Sequence, residues 1–173
     1  MTKRPTFPAL DPATVEVRKG SSYPEPWAQA CGAREKQALG DALGLNAFGV
    51  NLVRLPPGAL SSQRHWHSHE DEFVYLLEGE LTLITDAGPQ VLKPGMAAGF
   101  PAGRADGHHL INRGMATAVY LEVGDRSAVE TVDYPDSDMR LVRRGGDLTV
   151  EDRGERTLIS GKVAPYLEGR IRV

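Results

Sequence analysis

The sequence has a single cysteine, Cys31, so it can form neither an internal disulfide nor a cysteine-rich zinc site. It also lacks a basic excess: 20 Lys and Arg stand against 23 Asp and Glu, a net charge of −3. Without a basic stripe to collect phosphates, nucleic acid is not an expected partner. The densest basic spot, Arg140, Arg143 and Arg144, is surrounded by Asp136, Asp138 and Asp147 and reads as a solvated tail. The first thirty residues carry no apolar stretch of the signal-peptide kind, and no later run approaches eighteen apolar residues, so the expectation is a soluble cytoplasmic protein with no membrane partner. Helical segments of 10–15 residues between strands are missing too, which excludes a parallel βαβ fold.

Nineteen glycines and twelve prolines punctuate short runs of Val, Leu and Ile over 173 residues, the pattern of many short strands joined by tight turns. Residues 1–44 carry Pro5, Pro8, Pro12, Pro24 and Pro26, which disfavours helix and predicts an extended arm with Trp27 as an apolar anchor. The run from Ala33 to Leu43 suits a short helix or turn. From Leu45 onward, strands are expected near residues 48–53, 64–67, 72–77, 80–85, 90–92, 97–100, 108–112 and 117–123. This reading divides the chain into an arm (1–44), a barrel or sandwich core (45–126) and a polar extension (127–173). In the extension, Leu141-Val142, Leu148 to Val150 and Leu158-Ile159 suit additional edge strands.

All five histidines fall in two patches: His65, His67 and His69, then His108 and His109. Side chains alternate along a strand, so His65 and His67 share a face and can reach a common ion. Glu72, with Asp71 and Glu70 beside it, offers a hard oxygen ligand, and His108 enters from another strand. Three imidazoles and one carboxylate suit one divalent transition metal (Mn, Fe, Co, Ni, Cu or Zn) and leave positions open for water or substrate. His69 is expected at the surface or beside a ligand, and His109 on the face opposite His108. Asn112 is either a turn cap or a partner to a ligand imidazole. Gln63 shares the parity of His65 and is expected to line the pocket, while Arg54, Arg64 and Arg104 are candidates to hold an anionic substrate.

The stretch from Gly58 to Gly79 resembles the first motif of the cupin superfamily: a glycine, then His65-x-His67, Glu72 after four residues and Gly79 after six more. Gly95, Pro101, Gly103, His108 and Asn112 are similar to the second motif, with the Gly103-to-His108 gap two residues longer than usual. The resemblance selects Glu72 over Asp71 as the acidic ligand. It implies an all-β double-stranded β-helix, or jelly-roll barrel, with the metal inside. The phrase from Pro101 to Asn112, followed by residues 120–126 and 134–136, looks like a bacterial single-domain branch, some of whose members carry a provisional sugar-phosphate isomerase label.

The function expected is therefore that of a metal-binding protein, and first of a metal-dependent enzyme acting on a small polar molecule such as a sugar or sugar phosphate. There Glu72 is a fourth ligand or, if detached, a general base. An iron-dependent dioxygenase or lyase is the second reading, and a non-catalytic small-ligand-binding metalloprotein the third. Isolated barrels expose sheet edges that are usually covered, so a homodimer is expected.

Overall fold

A computed structural model describes residues 7–137, 139–144, 147–152 and 158–162. The arm has two 3₁₀ turns, Pro12–Thr14, capped by the Asp11 side chain accepting from Ala13 N–H, and Gln29–Cys31. It also forms two short strands, β1 (Arg18–Lys19) and β2 (Glu35–Ala38), and one helical turn, α1 (Leu39–Ala42). The first half of the barrel comprises β3 (Phe48–Leu55), β4 (Trp66–His67), β5 (Glu72–Glu78) and β6 (Leu81–Thr85). The second half comprises β7 (Gly88–Leu92), β8 (Ala97–Phe100), β9 (His109–Ile111) and β10 (Ala118–Asp125). Four further strands follow: β11 (Val129–Asp133), β12 (Met139–Arg144), β13 (Asp147–Asp152) and β14 (Leu158–Lys162). No helix among the described residues is long and apolar enough to cross a membrane.

One sheet runs β1-β2-β3-β10-β5-β8. Facing it are β7-β6-β9 and β4-β11-β12-β13-β14, joined by the bridge between His65 and His108. All pairings are antiparallel. This is the all-β jelly roll that the motifs implied. The inward faces of both layers supply one core, which includes Val53, Leu55, Val74, Leu76, Leu81, Leu83, Leu110 and Tyr120. Burial of each of its aliphatic side chains contributes about 1.5–3 kcal/mol. The glycine of the first motif has a steric cause. Gly79 has φ +79°, and a Cβ there would lie 2.8 Å from the Ala118 Cα, so the turn after β5 can pass β10 only without a side chain.

The arm does more than lie over the domain. β2 pairs with β3 (Lys36 opposite Val53, Gln37 opposite Leu52), so Arg34 and Lys36 sit at the barrel wall. Tyr23 and Trp27 pack against a second small core of Val132, Tyr134 and Met139, with the Tyr23 and Tyr134 rings edge-to-face at 5.8 Å. The basic spot read as a solvated tail is instead strand β12. Arg140 there pairs with Asp133 at 2.8 Å, and Arg143 reaches back to the buried Glu70. Two of these arginines are thus held by carboxylates from outside the basic spot, Asp133 on the neighbouring strand and Glu70 in the loop before β5.

Candidate metal centre

Antiparallel pairing brings the two histidine patches together. His65 and His108 exchange backbone hydrogen bonds at 3.1 and 2.8 Å, and His67 lies one pleat further along. Glu72 opens β5 on the facing sheet with its side chain turned inward, in step with buried Val74 and Leu76. Its Oε2 lies 3.5 Å from His65 Nε2, 3.5 Å from His67 Nε2 and 2.9 Å from His108 Nε2. The donor atoms of His65, His67 and Glu72 all fall within 4.8 Å of one another, a group able to hold a metal ion, and His108 joins it through Glu72.

The remaining ring nitrogens are tested by the same geometry. His65 Nδ1 donates to the Gln63 carbonyl at 2.8 Å, which leaves its Nε2 as a lone pair aimed at the cluster. His67 Nδ1 faces two carboxylates, Glu70 Oε2 and Glu130 Oε2, each at 3.8 Å. His108 stacks flat on Phe100, centroids 3.6 Å apart and planes 1° from parallel, which fixes the ring though its Nδ1 has no partner. Three Nε2 atoms and one carboxylate, with the His65 ring oriented through its far nitrogen and two carboxylate charges behind His67, fit a divalent transition metal.

The electrostatics suit the same use. Burial pushes the Glu72 carboxyl upward, but hydrogen bonds from His108 and His65 outweigh it and hold the group well below the usual carboxylate range. Burial likewise pulls His67 down, but the Glu130 carboxylate and the Glu72 charge more than reverse it. For His108 burial wins, and its pKa is lowered, which favours the neutral, ligating imidazole.

Not every residue expected here converges. Gln63 turns away: its amide donates to the Trp27 carbonyl at 2.7 Å, and its backbone carbonyl, not its side chain, serves the cluster. Arg64 is taken up by Asp136 at 2.6 Å and by Asp86, and it does not line the cavities beside the cluster. Arg54 donates to the Gln37 side chain at 2.6 Å. Arg104 does line a cavity of about 360 Å³ with His67, Phe100 and His108, but its side chain is 70% exposed and 3.8 Å from Asp106. His69 is exposed, bonded to the Ser68 hydroxyl at 2.6 Å. Asn112 is fully buried and caps a turn, donating to the Leu55 and Ala116 carbonyls at 2.7 and 2.8 Å and accepting from Gly114 N–H.

Sequence reading missed the groups that surround the cluster. Glu130 is 1% exposed and accepts from Ser68 N–H (2.8 Å), the Ser68 hydroxyl (2.8 Å), His69 N–H (3.1 Å) and Thr131 N–H (2.7 Å). Burial raises its pKa, but the bonds from His67 and Ser68 prevail and bring it to about 2. A second cavity, of about 150 Å³, is lined by His65, Glu72 and His108 together with Arg34, Tyr120 and Glu122. One signal for these was present: Glu122 has the inward parity of Ala118 and Tyr120 in an otherwise apolar strand, where a charge has no packing reason to be.

The fold and this cluster define a cupin. The family model described as "Cupin domain" matches residues 51–124, and the chain belongs to the cupin superfamily. It is similar to the crystal structure of a sugar phosphate isomerase from a cupin superfamily from Silicibacter pomeroyi. Identity is 44%, the TM-score is 0.83, and the match covers 87% of this chain and 96% of that one. A protein from Acidithiobacillus ferrooxidans, provisionally named for the same activity, is 35% identical with a TM-score of 0.67, covering 73% and 81%. The polyketide cyclase RemF from Streptomyces resistomycificus is 25% identical with a TM-score of 0.53, covering 72% and 80%. No curated protein matches the chain.

Proposed function

We propose that this protein is a metal-dependent enzyme acting on a small polar molecule, a sugar or sugar phosphate being the substrate class suggested by its relatives. One observation carries the reading: three imidazole Nε2 atoms point at one carboxylate oxygen inside the barrel, at 2.9–3.5 Å. His65, His67, Glu72 and His108 would hold one divalent metal (Zn, Mn, Fe, Ni or Co). Such an ion supplies Lewis acidity toward a carbonyl or hydroxyl oxygen. The chain's own residues do the rest. The Gln63 carbonyl orients His65, the Glu130 and Glu70 charges lie 3.8 Å behind His67, and Phe100 clamps His108. Glu72, kept ionised, is either the fourth ligand or a base able to take a proton from a bound molecule.

The two similar structures named for sugar phosphate isomerase support this reading over a dioxygenase, a lyase or a non-catalytic binder. The homodimer expected from the sequence has a candidate surface: Phe73, Tyr75 and Leu77 project together from the outer face of β5 and are exposed.

Elemental analysis of protein purified without added metal tests the assignment. Wild type is expected to carry close to one transition-metal equivalent, His67→Ala to lose most of it, and His109→Ala to keep it. Equal retention in both variants overturns the ligand set. Conversion of aldose to ketose phosphates by the loaded protein, followed by NMR, tests the activity.

A further inference from the structure

Four arginines near the barrel can be sorted by what answers their charge. Arg64 meets two aspartates, Arg126 meets Asp41, and Arg54 meets a neutral amide. Arg34 differs from all of these. It lines the 150 Å³ cavity with His65, Glu72 and His108, and no carboxylate among the described residues pairs with it. Two of its five donors are used, Nη1 on the Ser61 carbonyl at 2.5 Å and Nη2 on the Gly20 carbonyl at 3.2 Å, and its Nε is buried without a partner. Those two carbonyls hold the guanidinium in place without neutralising it.

The neighbouring cation is already balanced. Lys36 is bonded to Glu122 at 2.6 Å, and Asn51 also donates to that carboxylate. Beside them Tyr120, 1% exposed, lines the same cavity with a hydroxyl that has no hydrogen-bond partner. A buried hydroxyl without a partner costs about 1–3 kcal/mol, and so marks a place where something polar is expected to sit.

We propose that Arg34 and Tyr120 form an anion subsite beside the metal cluster, in which Arg34 takes a carboxylate or phosphate oxygen and the Tyr120 hydroxyl bonds a neighbouring oxygen of the same molecule. The inference rests on reading this cavity as the substrate site. At about 150 Å³ the cavity suits a compact ligand or the charged end of a longer one. The substrate class is thus an acid or phosphate bearing an oxygen close to its charged group. The sequence alone does not single out Arg34, because it lies in the arm and only the β2–β3 pairing carries it to the wall.

Calorimetry with three probes tests this: lactate for the carboxylate, glycerol 3-phosphate for the phosphate and lactamide as an uncharged control. Wild type is expected to bind at least one acid more tightly than lactamide, and the tighter acid identifies the charged group. Arg34→Gln should weaken that acid roughly 10–100-fold, with lactamide unchanged. Arg34→Lys, which keeps charge but not the fork, should fall between. Tyr120→Phe should weaken binding roughly 2–10-fold without lowering the melting temperature, because the hydroxyl it removes bonds nothing.

Wild type that binds neither acid at millimolar concentration overturns the subsite. So does wild type that binds lactamide as tightly, or Arg34→Gln that binds the acids like wild type. Metal content measured on the same samples separates this from the reading above. Protein that holds no metal yet loses the acid on Arg34→Gln overturns the metal assignment and leaves the subsite standing.

Discussion

His65 and His67 sit two residues apart on the same pleat and offer the same atom to the same carboxylate oxygen, yet their surroundings differ. His65 is steadied by a backbone carbonyl two residues upstream, a neutral acceptor that no side-chain substitution removes. His67 instead faces two carboxylate charges at 3.8 Å, one three residues downstream and one delivered by β11. A carboxylate behind a ligand imidazole makes it a stronger donor than a carbonyl does. The pair therefore combines one locally fixed ligand with one whose basicity depends on a distant part of the chain.

Four measurements break or sharpen that contrast. The largest effect is expected from Glu130→Ala. It leaves His69 N–H without an acceptor, while Ser68 N–H keeps the Thr131 carbonyl and Thr131 N–H keeps the Ser68 hydroxyl; it should cost about 1–3 kcal/mol in urea unfolding and weaken metal binding roughly 10–100-fold. Acid should act through the same group. The Glu130 carboxyl titrates at about 2 in the folded protein, below its ordinary value, so its contribution is present above the ordinary carboxylate range and is lost as pH falls toward 2. Wild-type stability should decline across that interval, and Glu130→Gln should flatten the decline. Next, Glu70→Gln removes one of the two charges facing His67 and the partner of Arg143, and should weaken metal binding less than Glu130→Ala. On the His65 side, Ser62→Ala removes two long contacts of 3.3 Å, to His65 Nδ1 and to the Ser61 hydroxyl, while the Gln63 carbonyl remains. Stability should change by about 0.5 kcal/mol or less, with metal content intact.

How much of this was legible in the sequence follows from how far each contact reaches along the chain. The strands from β3 to β10 were readable because apolar alternation and turn glycines are local signals. Gly79 is one case, where both the turn and the passing β10 backbone demand the residue. Parity put His65 and His67 on one face, and the resemblance to the cupin motifs selected Glu72 and His108; the fold draws the donor atoms of His65, His67 and Glu72 within 4.8 Å of one another. Gln63 shows the limit of that rule. It sits before the strand begins at Trp66, where alternation no longer governs, and its amide follows Trp27 instead. Arg34 and Glu130 were not legible, because each reaches the site through a strand pairing, β2 on β3 and β11 on β4, that local pattern does not encode. The arm's Pro-rich composition correctly disfavoured helix but concealed that Glu35–Ala38 completes a hairpin layer over β3.

The pairing of Val132 with His67 bears on how this chain can be cut. The stretch that matches the family model stops at residue 124, before β11 begins. A fragment ending there would keep all four convergent side chains but lose the clasp on the Ser68 turn, and it would bare the hydrogen-bonding edge of β4 to any passing strand. Grafts or minimal versions of this barrel should therefore run at least through Asp133.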